Sequence, residues 1–211
     1  MAKAAPRDAD KTRPAAPTLE AARADAAGCR RCALWKRATQ TVFGFGPPRA
    51  PIVFVGEQPG DVEDREGEPF VGPAGTLLRG SLAEAGLDPA DVYLTNAVKH
   101  FKWREQGKRR IHERPNREEI LACRFWLEQE LAAIRPRLVV ALGSTAASAL
   151  VGSSVRVLRD RGTVVQSPLA GPVLITVHPS SILRAPDSAE RRRARQAFVD
   201  DLRAIARHGL K

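Results

Sequence analysis

Two kinds of apolar pattern alternate along this chain. Apolar-rich segments at 51–56, 92–98, 137–143 and 173–177 predict strands, and the first, a continuous apolar run that ends in Gly56, has the form of a strand buried on both faces. Between them lie stretches with helical spacing at 19–27, 73–85, 118–134, 144–150 and about 189–207. The helix at 73–85 opens on Pro73 and is ended by Gly86, while that at 118–134 carries its apolar stripe at 120, 123, 127, 131 and 134 and is stopped by Pro136. Residues 162–167 read as a small hairpin arm. Strands separated by helices predict an α/β fold, a three-layer α/β/α arrangement around a central four-stranded parallel sheet.

Two of the strands end in polar motifs, GEQPG (56–60) and HPSSILR (178–184). In an open α/β sheet, ligands bind in the crevice at the carboxyl ends of the strands, so Glu57, Gln58, His178 and Ser180 are expected to meet there. A third element is a loop at 99–117 with eight Lys/Arg against two Glu, which brings Lys108, Arg109, Arg110 and His112 toward the same crevice. Phe70, within PFVGPAG, either stacks on a base or caps the core. Ser180 and Ser181 follow Pro179 where a helix begins, and their hydroxyls and backbone N–H groups form a phosphate-binding arrangement. Ile182 and Leu183, followed by Arg184, suit either a wedge entering a base stack or an ordinary core turn.

Charge sharpens the choice of partner. Lys+Arg 34 against Asp+Glu 24 leaves +10, which favours polyanions. Arg191, Arg192, Arg193 and Arg195 read instead as a solvated helix face. Residues 1–17 lack apolar periodicity and a secretory signal's hydrophobic segment, so a disordered tail is expected before a single domain at 18–211. The longest mostly apolar stretch, 138–152, is shorter than a membrane span, and the expectation is a cytoplasmic protein with no membrane contact. In a reducing compartment the three cysteines suit metal or cluster ligation better than disulfides. Cys29 and Cys32 form a CxxC, Cys123 lies on a helical stripe, and His100 follows the second strand; together they are sufficient for a tetrahedral zinc site or a four-iron cluster, and spacing does not choose.

The order of GEQPG, EPFVGPAG, VYLTNAVKH, the cysteine pattern and HPSSILR resembles the iron-sulfur branch of the uracil-DNA glycosylase superfamily, from about Cys29 to the final helix. Three features depart from the usual family 4 pattern: Gln58 in place of Ala, His100 in place of a cluster cysteine, and the inserted KRRIH at 108–112. All three resemble the UdgX-type subgroup, which captures uracil-containing DNA covalently through the histidine of that insert. The resemblance implies a 4Fe-4S cluster held by Cys29, Cys32, His100 and Cys123, a uracil pocket of Gly56, Phe70, Asn96 and His178, and a catalytic set of His112, Glu57, Gln58 and His178.

These implied roles agree with the chemistry. A uracil must leave the base stack to be reached. Phe70 can stack on it, the Asn96 amide can read its O4 and N3 edge, and His178 can hydrogen-bond the charge that develops on the base oxygen. Glu57 would orient or deprotonate His112, which would attack the sugar carbon and end the reaction after one turnover. Lys108, Arg109, Arg110, Ser180, Ser181, Ile182 and Arg184 form the expected DNA contacts, with Arg110 directed inward to support the loop. The partner is uracil-containing DNA, single-stranded and also double-stranded, and the protein is expected to be a monomer. The alternatives are a conventional multiple-turnover iron-sulfur glycosylase and, from another class, a non-catalytic nucleic-acid-binding iron-sulfur protein.

Overall fold

The computed structural model describes residues 18–152 and 154–207, so the predicted tail at 1–17 lies outside the described residues. The strands are β1 Ile52–Gly56, β2 Val92–Asn96, β3 Trp103–Gln106, β4 Arg109–His112, β5 Leu138–Leu142, β6 Val164–Ser167 and β7 Gly171–Thr176. The helices are α1 Leu19–Ala27, α2 Asp61–Glu66, α3 Pro73–Glu84, α4 Arg117–Ile134, α5 Gly143–Val151, α6 Val157–Asp160, α7 Pro179–Leu183 and α8 Ser188–Arg207.

Five strands form one sheet in the order β2-β1-β5-β7-β6. The first four are parallel, and β6 joins the edge antiparallel to β7. The expected four-stranded parallel sheet is therefore the core of a five-stranded mixed one. The predicted arm at 162–167 is its fifth strand, and the short connection to β7 permits only an antiparallel return.

Alternation within the strands makes the three layers. Phe54, Leu94, Val140, Leu142 and Leu174 face one side and pack on Leu78 and Leu82 of α3 and Phe198, Leu202 and Ile205 of α8. Val53, Val55, Tyr93, Val139, Ala141 and Ile175 face the other and meet Leu127, Leu131 and Ile134 of α4 and Ala146 and Leu150 of α5. Every residue of β1, β2 and β5 is buried, which is why β1 and β5 read as unbroken apolar runs, while β2 buries Thr95 and Asn96 at its polar end. Asn116 and Glu119 cap α4 reciprocally, with bonds of 2.8 and 2.7 Å to each other's backbone N–H.

The segment 99–117, expected as a loop, contains an antiparallel hairpin outside the main sheet. β3 and β4 pair Trp103 with His112 and Glu105 with Arg110, and Gly107, at φ +59°, makes the turn. Its sequence carries no apolar stripe, because side-chain polar contacts rather than the core hold it. Pro51 to Gly60 then leads directly into α2, a short helix the sequence reading did not include, whose Glu63 carboxylate accepts from Gly60 N and Gly72 N at 3.0 Å each.

Candidate active site

The ends of β1, β2, β5 and β7 open into a cleft of about 1260 Å³ whose lining includes Glu57, Phe70, Asn96, His112 and His178. This is the topological crevice expected of an open α/β sheet. Asn96 pairs with Gly56 across β1 and β2 and is 3% exposed. A Cβ on Gly56 would collide with the Asn96 amide oxygen and approach Phe70 Cζ to 2.7 Å, so only glycine leaves room for both side chains. Gly56 thus shapes the pocket through the absence of a side chain. Phe70 itself sits at φ +60°, a strained conformation for a bulky residue. Two features hold it: Arg79 Nη2 donates to its carbonyl at 2.8 Å, and Gly75 packs where any Cβ would overlap that carbonyl. The Phe70 and His178 rings stack with centroids 6.0 Å apart.

His178 caps α7 with its own ring. Ser180 N–H donates to His178 Nδ1 at 3.1 Å, which makes Nδ1 an acceptor and leaves the proton of the neutral ring on Nε2. Burial, followed by the charge of Arg184 and of His112, pushes its pKa down to about 4. The ring is therefore a neutral hydrogen-bond donor at neutral pH. Ser180 Oγ also contacts Nδ1 at 2.8 Å, and Ser181 directs both N–H and hydroxyl to the His178 carbonyl at 2.9 and 2.8 Å. The expectation of free N–H groups for a phosphate is corrected: these serines orient His178. Ile182 is corrected too, since it is 1% exposed in the core, while Leu183 beside it is 37% exposed.

The hairpin carries His112 to the cleft. His112 Nε2 lies 3.6 Å from Glu57 Oε1, and its ring is tilted against Phe101 at 6.0 Å. Burial lowers the His112 pKa; Glu57 opposes that shift, and Arg184 adds to it. Gln58 clamps the base of the hairpin: its amide N–H groups donate to the carbonyls of Lys102 and Glu113 at 3.1 and 3.0 Å, and its oxygen accepts from Lys102 N at 3.3 Å. Its contacts are those of a positioning residue rather than one that meets a reacting atom. Arg110 reaches inward to Asp61 and to Asp64, 2.6 Å away, and its Nη1 donates to Thr39 Oγ1 at 3.2 Å. Arg110 thus points inward, the direction expected of it as support for the loop, and is not among the DNA-facing cations, whereas Lys108 and Arg109 remain exposed at the tip.

Glu57 is held from its other side. The Thr145 hydroxyl donates to Glu57 Oε2, and Arg114 lies 3.7 Å from that oxygen while donating to Thr145 Oγ1 at 3.2 Å and Ser144 Oγ at 2.7 Å. Gly143, at φ +86°, turns the chain so that these hydroxyls face the cleft.

The cysteines gather in a separate apolar cluster with Phe43, Val98 and Trp126. Trp126 Nε1 donates to Cys29 Sγ at 3.0 Å, and Lys99 N donates to Cys123 Sγ at 3.1 Å. Burial pushes the Cys123 thiol up to about 12, so its thiolate would need a cation to exist there. His100 is buried; its Nε2 lies 3.0 Å from Thr41 Oγ1, and its Nδ1 has no hydrogen-bond partner. An imidazole kept neutral by burial, with one nitrogen lacking a hydrogen-bond partner, has the chemistry of a metal ligand. Among the described residues, no three His, Cys, Asp or Glu side chains converge at the spacing of a single ion.

Lys99, read as part of the cationic loop, is fully buried instead. Its Nζ pairs with Glu130 Oε2 at 2.5 Å and donates to Thr95 Oγ1 and the Asn96 carbonyl at 2.6 and 2.8 Å. Tyr93, Thr95 and Gly44 complete the shell around Glu130. This network joins the backbone of Asn96 to the strand exit that carries Cys123's donor.

A profile described as the uracil DNA glycosylase superfamily matches residues 43–203. The chain belongs to that superfamily. It is 39% identical over 165 residues to a type-4 uracil-DNA glycosylase of Pyrobaculum aerophilum, covering 75% of this chain and 81% of that one. Identities of 40% over 169 residues and 41% over 157 relate it to type-4 uracil-DNA glycosylases of Archaeoglobus fulgidus and Thermotoga maritima. The matches cover 77% and 74% of this chain, and 81% and 78% of those proteins.

Within this glycosylase-superfamily frame, the sequence reading missed Thr145, Arg114, Asp61 and Asp64. The aspartates had a legible signal, since two carboxylates at i and i+3, directly after GEQPG, present one face to a cationic insert. Thr145 and Arg114 had none, because each meets Glu57 only through tertiary packing. No described helix is long and apolar enough to cross a membrane.

Proposed function

We propose that this chain excises uracil from DNA and remains covalently joined to the sugar through His112. The observation that carries this reading is an imidazole 3.6 Å from Glu57, presented over the Phe70, Asn96 and His178 pocket by a hairpin clamped at Gln58 and Arg110. A loosely held histidine would lose to water; an oriented one gains the large advantage of proximity. The names of the type-4 relatives supply the substrate class.

In the proposed reaction the flipped uracil lies against Phe70 with its O4 and N3 edge toward Asn96. The C1′–N1 bond breaks and its electron pair leaves with uracil. The Nε2–H of His178 donates to the base oxygen where negative charge accumulates. The lone pair of neutral His112 forms the new bond to C1′, and Glu57 accepts or balances the imidazolium proton. An N-alkylated imidazolium is a poor leaving group, so one molecule of protein consumes one uracil. The DNA partner is single-stranded as well as duplex, with Lys108, Arg109 and Arg184 facing its phosphates.

Cys29, Cys32, His100 and Cys123 are the proposed ligands of a 4Fe-4S cluster. N–H···S donors to Cys29 and Cys123 are of the kind that tune cluster sulfurs, and the names of the type-4 relatives support the glycosylase frame in which the cluster is proposed. Bound there, the cluster would tie the segment that carries Cys29 and Cys32 to α4 and to the exit of β2.

The test is incubation with a uracil-containing single-stranded oligonucleotide, followed by denaturing electrophoresis and intact mass. The expected result is a heat-stable conjugate of one protein and one abasic strand, mapped by peptide analysis to His112 and absent in His112→Ala. Free abasic DNA in molar excess over protein overturns the covalent reading and leaves a conventional glycosylase. Visible absorbance and iron content of the purified protein test the cluster; a colourless, zinc-loaded sample overturns it.

A further inference from the structure

The lining of the cleft includes residues 155–158, to which the proposed reaction assigns nothing. Leu158 is 82% exposed, the highest value among the exposed large hydrophobic side chains described. A lone exposed leucine is ordinary. This one differs in its position, its rigidity and its neighbours.

Its position is on the lining of the same cleft that holds Leu183 and Arg184. Its rigidity comes from a one-turn helix: Asp160 accepts from Arg156 N at 2.7 Å, and Arg159 and Asp160 N–H groups donate back to the Arg156 carbonyl at 2.9 and 2.8 Å. Val157 anchors the turn by packing against the apolar clusters on both faces of the sheet. Arg161 pairs with Asp201 at 2.8 Å, and Gly162 N donates to the Ile175 carbonyl at 2.8 Å, so the turn is fastened to the sheet edge on its other side. Its neighbours include Arg156 on the cleft lining, while Arg159 beside the leucine is paired with Asp160 at 2.6 Å and helps hold the turn.

We infer that Leu158 is a second DNA-inserting residue, acting with Leu183 as a two-sided apolar clamp that enters a duplex at the uracil while Arg156 and Arg184 on the cleft lining meet the phosphates. The inference rests on the proposed use of this cleft for uracil-containing DNA. A flipped nucleotide leaves a gap in the stack, and an apolar side chain on a rigid support fills it and delays the base's return. Arginines on either side favour a polyanion over the apolar face of a protein partner. Single-stranded DNA has no duplex stack to open, so the role is confined to duplex substrates.

The test uses the full chain and Leu158→Ala, whose folding is checked by thermal unfolding. The first readout is fluorescence of 2-aminopurine placed beside 2′-fluoro-deoxyuridine in a duplex, which resists cleavage and brightens when unstacked. Wild type is expected to brighten it at saturation, and Leu158→Ala to lose most of that signal. The second readout is uracil release. Leu158→Ala is expected to slow release from duplex about tenfold while leaving single-stranded substrate unchanged. Equal brightening by the two proteins, no brightening by wild type, or equal loss on single and double strands overturns the inference. Lost brightening in Leu158→Ala with no uracil release by wild type would support insertion and overturn the proposed chemistry instead.

Discussion

At the scale of single residues, two histidines in one cleft have opposite tasks, and their surroundings separate them. His178 is a neutral donor because its Nδ1 is occupied by Ser180 and burial lowers its pKa to about 4. Replacing it with Ala should cut uracil release by roughly 10²–10³, the scale for losing one preorganised oxyanion donor, as single-turnover rates will show. Its partly buried neutral ring also makes stability depend on pH. The folded pKa lies below the unfolded value of 6.5, so the unfolded chain binds the proton more tightly. Stability is complete above 6.5 and falls by about 3 kcal/mol as pH drops toward 4, a loss that urea titrations should find reduced in His178→Gln. For His112 the lowered pKa keeps the nucleophile's lone pair free. Adduct formation should be flat above pH 6.5 and decline on the acid side, with a midpoint below 6.5.

At the scale of elements, the hairpin of β3 and β4 is held by polar anchors. Gln58→Ala removes the clamp while leaving the pocket intact, and should lower adduct formation about tenfold with little change in uracil-DNA affinity. Arg110→Lys keeps the charge but not the fork that meets Asp61, Asp64 and Thr39, so it should behave more like a loss than a conservative change in the same assay. The strands were legible in sequence because burial on both faces requires unbroken apolar runs, and α4 was legible because its stripe and stop signal agree. The hairpin and α2 were not. Trp103–Gln106 and Arg109–His112 alternate without an apolar face, and their order comes from carboxylates and an amide distant in sequence. The fifth strand was seen as an arm, but sheet membership depends on which edge is free.

At the scale of the whole molecule, the surplus of +10 is carried by side chains that mostly stay outside, but not all of the cationic segment does. Of the basic residues at 99–117, Lys99 is buried and Arg110 is paired internally, while Lys108 and Arg109 are exposed. Encounter affinity for DNA should fall with salt, and each of Lys108→Ala and Arg109→Ala should reduce the log–log salt slope by about 1, measured by fluorescence anisotropy with His112→Ala protein. Lys99 has a different duty. Lys99→Met leaves Glu130 charged and unpaired in the interior and should cost roughly 3–5 kcal/mol of stability, much of it recovered in the Lys99→Met/Glu130→Leu double variant.

Periodicity alone determined the alternation of strands and helices, and topology then required a crevice where GEQPG and HPSSILR meet, since parallel strands place their carboxyl ends together. Residue chemistry also determined which groups were available: an imidazole in a cationic insert, a carboxylate, an amide and soft ligands. Only the tertiary structure decided how each was used. It gave Arg110 its partners Asp61 and Asp64, buried Lys99 and Ile182, engaged Ser180 and Ser181 with His178, and set Thr145 and Arg114 against Glu57. The reason is physical: periodicity records whether a position prefers water, whereas the role of a polar side chain depends on the partner it reaches across the fold.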